Sequence, residues 1–332
     1  MIMPSMKDLI AGFPAHLKEG VGLADNASWK NPGKRFKAVL ITGLGGSGIG
    51  GSLAAEWMNP TSATPILVNK DYYLPAWVDE HALVIACSYS GNTEETLSAM
   101  DQALERNAEV AVISSGGRML QIAKEKGLNA VELPGGNPPR SMMGYSISCL
   151  MAYLEFYGLN VPDWRPAWEE AVRDMDKQKE RYHKEAEEHA RTLHGKTIAV
   201  YATDGLAAMG ERMRQQFNEN SKMLGWSAAI PEMNHNELVG WAGGDQRMAV
   251  LVLRHSGEFE RNAVRAEINK ETLKRYTPHL LEWRSDCSHP IAQALCLSHL
   301  ADWTSYYLSE MNGVDIMDIQ VIDHLKSELG KL

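Results

Sequence analysis

Two short stretches of the chain place hydroxyl and backbone N–H groups where an anion could be held. The first runs Ile41-Thr42-Gly43-Leu44-Gly45-Gly46-Ser47-Gly48-Ile49-Gly50-Gly51-Ser52-Leu53, between the apolar run Ala38-Val39-Leu40-Ile41 and Leu53-Ala54-Ala55-Glu56-Trp57-Met58. It reads as buried strand, tight glycine loop and helix start. Such a loop brings bare N–H groups close to a ligand, and the positive end of the helix dipole favours an anion; phosphate is the natural guest. The second stretch is Ser88-Tyr89-Ser90-Gly91-Asn92-Thr93. Ser88, Ser90 and Thr93 fall at a strand end and a helix start, so their hydroxyls and neighbouring N–H groups can converge on phosphate oxygens, with Gly46 and Ser47 adding to them from the first loop. Helix capping is the alternative, because Ser90 or Thr93 followed by glutamates is an ordinary N-terminus signature. A nicotinamide-dependent dehydrogenase is another reading: Gly43, Gly45 and Gly48 satisfy G-x-G-x-x-G, and Asp71 lies about where an acidic ribose partner is expected. Dinucleotide folds, however, do not require the second, hydroxyl-bearing loop.

The elements that must position these loops alternate along the chain. Apolar runs at Ala38–Ile41, Ile66–Val68, Ala82–Cys87 and Val110–Ser114 predict strands buried on both faces, with Val131–Leu133 as a last short one. Helical composition fills Ser47–Met58, Thr93–Arg106 and Arg118–Lys126, giving the β-α-β rhythm of a parallel sheet covered by helices. An amphipathic segment around Met6–Leu17 is expected to pack across this first domain, and a long apolar helix follows at Ser141–Tyr157. Pro162–Pro166 breaks the chain, and the densely charged stretch Ala167–Leu193 predicts a connecting helix with a solvated face. The rhythm then restarts with strands at Thr197–Tyr201 and Met248–Leu253 and helices at Leu206–Leu224, Phe259–Tyr276 and Ile291–Met311. The fold class is therefore α/β, doubly wound and flavodoxin-like in its layering. Residues 1–160 are expected to form one domain, 161–194 a connector and 195–332 a second. Ala202-Thr203-Asp204-Gly205 stands where the first half has its glycine loop, as in a repeat whose own phosphate loop has decayed.

Composition removes several function classes. The 332 residues carry a net charge of −9, which argues against general attraction to nucleic acid or anionic membranes. Cys87, Cys149, Cys287 and Cys296 show no C-x-x-C spacing and no H-E-x-x-H occurs, so neither a metal site nor a disulfide framework is expected. Residues 1–20 lack the apolar run of a signal peptide and no stretch is long enough to span a bilayer, which places the protein in the cytoplasm. The Asn26-Ala27-Ser28 sequon then has no glycan to receive.

Six motifs, taken together, carry a resemblance. Gly45-Gly46-Ser47-Gly48, Ser88 through Thr96, Ser114-Ser115-Gly116-Gly117, Pro139-Arg140, Asn218-Glu219-Asn220 and Asn234-His235-Asn236-Glu237 occur in that order. Over about Lys37 to Lys326 the chain resembles the bifunctional phosphoglucose/phosphomannose isomerases, built from two sugar-isomerase (SIS) domains. The resemblance implies a sugar phosphate at the serine loops and an aldose–ketose isomerisation with no metal and no redox cofactor. It implies Glu219 as the base that moves a proton between C1 and C2, whereas periodicity alone reads it as a solvated helix glutamate. His235, otherwise a structural histidine, would open the sugar ring from the neighbouring subunit of a homodimer. Arg140 would stabilise the enediolate oxygen, where the residue types alone allow a surface ion pair. Lys326 would assist ring opening, or face solvent on a last amphipathic helix. Relatives often carry a threonine ahead of that lysine, thought to leave room for both C2 epimers; this chain reads Ile316-Met317-Asp318-Ile319-Gln320. A non-catalytic sugar-phosphate sensor on the same fold is the remaining alternative. An amidotransferase-linked isomerase is not expected, since Met1-Ile2 brings no cysteine nucleophile.

Overall fold

The computed structural model describes residues 4–159 and 163–331. Met1-Ile2, and the start of the expected break at Pro162, lie outside the described residues. Near the N-terminus α1 (Met6–Ala11) and α2 (Phe13–Asp25) meet at Gly12. The first sheet unit follows as β1 (Ala38–Thr42), α3 (Gly45–Met58), β2 (Ile66–Asn69), β3 (Ala82–Cys87), α4 (Glu94–Glu105), β4 (Glu109–Ser114), α5 (Gly117–Lys126), β5 (Asn129–Glu132) and α6 (Met143–Phe156). Next come α7 (Trp164–Lys177) and α8 (Lys179–Leu193), then β6 (Thr197–Ala202), α9 (Ala207–Ser221), β7 (Gly225–Ala229), α10 (Glu237–Gly240), β8 (Met248–Leu253), α11 (Glu260–Leu273) and β9 (Leu280–Trp283). The last helices are α12 (Pro290–Asn312) and α13 (Gln320–Leu329).

Every strand pair is parallel, and the sheets have the orders β2-β1-β3-β4-β5 and β7-β6-β8-β9. The second order repeats the first with one strand fewer, as the restarted rhythm predicts. Side chains of period two separate the faces. Val39, Ile41, Leu83 and Ile85 join a layer that includes α6 and continues through Met209, Met213, Val200 and Leu251, so one apolar layer connects both sheets. Leu40, Val84 and Val112 face α4 and α5, and Tyr201, Val250 and Val252 face Met233, Trp241 and Ala266.

Several local expectations are corrected. The helix predicted to Leu224 ends at Ser221, because Lys222 turns left-handed at φ +55° and β7 begins at Gly225. Leu224, just beyond that turn, is 83% exposed. Strands β7 and β9 have no continuous apolar run to announce them. In place of one connecting helix there are two, broken at Gln178, whose amide and the Tyr182 hydroxyl both bind Asp174. The N-terminal segment packs on the first sheet unit through α2 against α6, as expected, and also reaches beyond it: α2 touches α7 and α1 lies against α12.

His299 sits in the middle of α12 with its ring 5.9 Å from Phe13 and 5.1 Å from Tyr182, and its Nε2 accepts the Trp303 indole N–H at 3.1 Å. Burial pushes its pKa down to about 3. Below the unfolded value near 6.5 the unfolded chain takes up a proton that the folded chain refuses, so this stability is present above about pH 6.5 and is lost as pH falls toward 3. We expect about 2 kcal/mol of destabilisation from this residue between pH 7 and pH 5. Urea unfolding at both pH values should show it, and His299→Gln, which keeps an acceptor for Trp303, should flatten the loss. His16 and His189 are lowered by burial too and leave a residual slope.

Candidate active site

The two loops flank the point where the strand order of the first sheet reverses, between β1 and β3. There the connections leave toward opposite faces and open a crevice at the strand ends. Glycine is required in the first loop: a Cβ on Gly43 would lie 2.5 Å from the Cys87 carbonyl oxygen, and one on Gly48 2.4 Å from that of Gly43. Ser47 Oγ accepts the Tyr89 N–H at 3.1 Å and so ties the loops together. Ser88 Oγ and Thr93 Oγ1 are 2.7 Å apart, and Ser88 Oγ also accepts the Gly91 N–H. Thr93 holds the N-cap position of α4 without a side-chain capping bond, and Leu44 offers none to α3. Capping therefore does not explain the Thr93 hydroxyl, and neither helix N-terminus carries a side-chain cap. Ser90 is exposed and its Oγ accepts only the local Asn92 N–H, at 3.3 Å. In the second unit the matching N-terminus is closed: the Glu56 carboxylate, from α3, accepts the Ala207 and Ala208 N–H groups of α9 at 2.8 and 2.9 Å.

A Cβ on Gly46 would lie 3.1 Å from the Pro139 carbonyl oxygen, so the first loop rests on the short 3-10 turn that carries Arg140. Arg140 is no surface residue; it is 3% exposed. Its Nε donates to Asn220 Oδ1 at 2.7 Å, its Nη2 to the Ile316 carbonyl at 2.6 Å, and its Nη1 lies 3.4 Å from Glu219 Oε2. Burial lowers its pKa, and the Glu219 charge opposes that shift. Glu219, on the last turn of α9, keeps its side chain 31% exposed and opens into a cavity of about 490 Å³ shared with Lys222, Asp318 and Ile319. Met317 instead lies against the main apolar layer.

Behind this pair stands a polar ladder that the apolar stripe conceals. Asn220 Nδ2 donates to Ser305 Oγ at 2.9 Å, Gln216 donates to Asp302 at 2.6 Å, and Arg212 binds both Asp302, at 3.2 Å, and the Arg140 carbonyl, at 3.0 Å. Arg212, Gln216 and Asn220 recur every fourth residue on a buried face, which is the signal that sequence reading could have used. Lys222 was also overlooked; its Nζ donates to the Glu219 carbonyl at 2.7 Å, and burial first, then the Arg140 charge, lowers its pKa.

His235 is not brought to this centre within one chain. His235 ends a 3-10 turn beyond the carboxyl end of β7, whereas Glu219 precedes β7, so the whole strand, roughly 17 Å, separates them. Its ring is exposed and, among the described residues, makes no hydrogen bond. The segment beneath it is nonetheless fixed: Asn234 donates to Asn269 at 2.5 Å, and Glu237 Oε2 accepts Tyr201 Oη at 2.9 Å and Trp226 Nε1 at 2.7 Å. Lys326 is exposed on α13, beside the exposed Val321 and Leu325.

Residues 35–132 match the SIS domain, and residues 182–329 match the bacterial phospho-glucose isomerase C-terminal SIS domain. The chain is 34% identical over 316 residues to a bifunctional phosphoglucose/phosphomannose isomerase of Aquifex aeolicus, covering 93% of this chain and 97% of that one. It is 32% identical to one of Caldicellulosiruptor bescii, over 98% and 99% of the two chains. The chain belongs to the bifunctional phosphoglucose/phosphomannose isomerase family. Its fold also matches the C-terminal domain of glucosamine-fructose-6-phosphate aminotransferase from Francisella tularensis, with a TM-score of 0.74 and 13% identity over 94% of this chain and 96% of that one. The Asp71 carboxylate, which sequence spacing offered as an acidic ribose partner, accepts the N–H of its neighbour Tyr72 at 2.6 Å.

If the open helix N-termini hold phosphate, Thr93→Val should weaken inorganic phosphate binding roughly 10- to 150-fold, the effect of losing a hydroxyl contact to a charged group worth about 1.5–3 kcal/mol. Folding stability should fall by no more than about 1 kcal/mol. A calorimetric titration returning the wild-type affinity would assign the hydroxyl to loop structure alone.

Proposed function

We propose that the protein interconverts glucose 6-phosphate and mannose 6-phosphate with fructose 6-phosphate through a cis-enediolate. The observation that carries the reading is the meeting of a buried arginine and a half-open carboxylate, Arg140 and Glu219, beside two uncapped helix N-termini. The phosphate would bind at Gly46, Ser47, Ser88, Ser90 and Thr93. With the sugar chain extended toward Arg140, the Glu219 carboxylate takes the proton from C2 of the aldose and returns it to C1, and the guanidinium faces the oxygen on which negative charge develops. The reaction moves a proton within the substrate, with no net oxidation. The buried ladder of Arg212, Gln216 and Asp302 supports the Arg140 turn, so the oxyanion partner is positioned before substrate arrives.

His235 would open the sugar ring of the neighbouring subunit, with Lys326 assisting. Its exposed ring on a fixed segment, a strand's length from its own Glu219, supports a homodimer in which each site takes His235 from its partner. A non-catalytic sensor would have no use for a carboxylate aimed at a buried arginine. Ile319, in the cavity with Glu219, rather than Met317, is the side chain that could crowd C2. We therefore expect mannose 6-phosphate to be the slower aldose. The four cysteines are free thiols, as in a reducing compartment, and we place the enzyme in the cytoplasm.

Coupled assays from fructose 6-phosphate test the function directly. The wild-type chain should yield both aldose phosphates. Glu219→Gln should lose at least about 100-fold in turnover of each, as expected for removing a general base, while still binding a phosphorylated sugar acid. Turnover near the wild-type rate would show that another group carries the proton.

Assembly is tested by mixing inactive Glu219→Gln and His235→Ala chains. After subunit exchange each heterodimer contains one site with both residues intact, so random pairing should restore about a quarter of the wild-type activity. Proven exchange with no recovery would place both residues in the same subunit.

A further inference from the structure

Outside the site, on the far side of α12, four side chains from four separate segments converge. Asp174 comes from α7, Tyr182 from α8, Cys296 from α12, and Cys287 from the loop after β9. The Cys287 and Cys296 sulfurs are 3.5 Å apart, and Cys296 Sγ is 3.7 Å from Asp174 Oδ2. Those three ligand atoms all lie within 4.8 Å of one another, and the Tyr182 hydroxyl donates to the same Asp174 oxygen at 2.7 Å. We propose that Asp174, Cys287 and Cys296, with Tyr182 beside them, form a binding site for one thiophilic divalent cation of the zinc type.

The spacing carries the argument. Four tetrahedral ligands with metal–sulfur bonds near 2.3 Å and metal–oxygen bonds near 2.1 Å have a sulfur–sulfur edge of about 3.8 Å and a sulfur–oxygen edge of about 3.6 Å. The two separations found here, 3.5 and 3.7 Å, differ from those edges by a few tenths of an ångström. A disulfide would need the sulfurs to close by about 1.5 Å. The donor set, two thiols and a carboxylate with a phenol in reach, suits a borderline-soft cation and not magnesium or calcium.

The surroundings hold the donors as an outer shell of a metal site does. The Gln178 amide binds the second oxygen of Asp174, and the Gln293 amide binds the Cys287 carbonyl, which fixes that loop. Arg181, Ser285 and Asp286 line a small cavity of about 10 Å³ against the cluster. The Arg181 charge is already engaged, by Glu185 at 2.8 Å and by Asp286. The hydrogen bond with Cys296 holds the Cys287 thiol below its usual range, and the same pairing and burial push Cys296 up. Binding would expel both thiol protons to solvent and leave a dithiolate–carboxylate complex with the dication. The bound ion would join α7, α8 and the β9 loop to α12, whose Asp302 and Ser305 brace Arg212 and Asn220.

The test uses the full chain, reduced, stripped with a chelator and titrated anaerobically with cobalt(II). A thiolate-to-cobalt charge-transfer band should saturate at one cobalt per chain and vanish when one equivalent of zinc is added. Cys287→Ser and Cys296→Ser should each weaken binding at least tenfold and remove most of the band. Asp174→Asn should weaken it while leaving fructose 6-phosphate turnover of the metal-free protein unchanged. Melting of each variant without metal separates loss of the site from loss of the fold, and partly exposed Asp174 keeps the test available if a cysteine variant does not fold. Absence of the band at millimolar cobalt would overturn the proposal. So would a band that survives in the double cysteine variant, or a mass two protons lighter with no metal bound, the mark of a disulfide.

Discussion

A buried guanidinium without partners would cost several kcal/mol, and Arg140 is buried. Its partners come from distant parts of the chain: Asn220 and Glu219 from α9, and the Ile316 carbonyl from the segment that follows α12. Its own carbonyl is held by Arg212, which is buried against Asp302. The sheet units cannot part here without stranding charges in an apolar layer. Gly46 rests on the same turn, so the distance from the anion loops to Glu219 is set by how one arginine is satisfied.

The two sheet units use one geometric device in opposite ways. At α3 and α4, which follow the two strands at the strand-order reversal, the helix N-termini are left without side-chain caps. At α9 the same kind of terminus is filled by Glu56, a carboxylate that reaches across from α3. Burial raises the Glu56 pKa against the pull of those two N–H groups. A protein carboxylate thus fills the N-terminus of α9 and joins the two halves.

The arrangement around His235 separates rigidity from contact. Glu237 is held by Tyr201 and Trp226, and Trp241 donates to the same Tyr201 oxygen at 2.7 Å. The His235 ring itself is exposed and, among the described residues, makes no hydrogen bond, so only the backbone beneath it is held. On the homodimer reading, catalysis would depend on assembly, because each site would take its ring-opening histidine from the partner.

The loops and the buried strands were legible because both are short-range signals. Glycines at Gly43 and Gly48 answer to contacts within one turn of chain and the adjacent strand, and β1 and β3 are apolar throughout because both faces are covered. Strands β7 and β9 escaped notice because Gly225-Trp226-Ser227-Ala228-Ala229 and Leu280-Leu281-Glu282-Trp283 are only half-buried along most of their length and carry polar residues. The end of α9 was missed because Lys222, not glycine, takes the left-handed turn. Motif resemblance pointed to Arg140 and Glu219 as residues, but their pairing across 79 positions follows only from the packing of α9 against the first sheet unit. The same holds for Cys287, Cys296 and Asp174, whose spacing along the chain signals nothing. Sequence by itself determined where the backbone must turn tightly and which strands are buried, since those demands act between neighbours. Tertiary structure alone decided which buried charges and thiols meet, since each needs a partner that only helix packing can deliver.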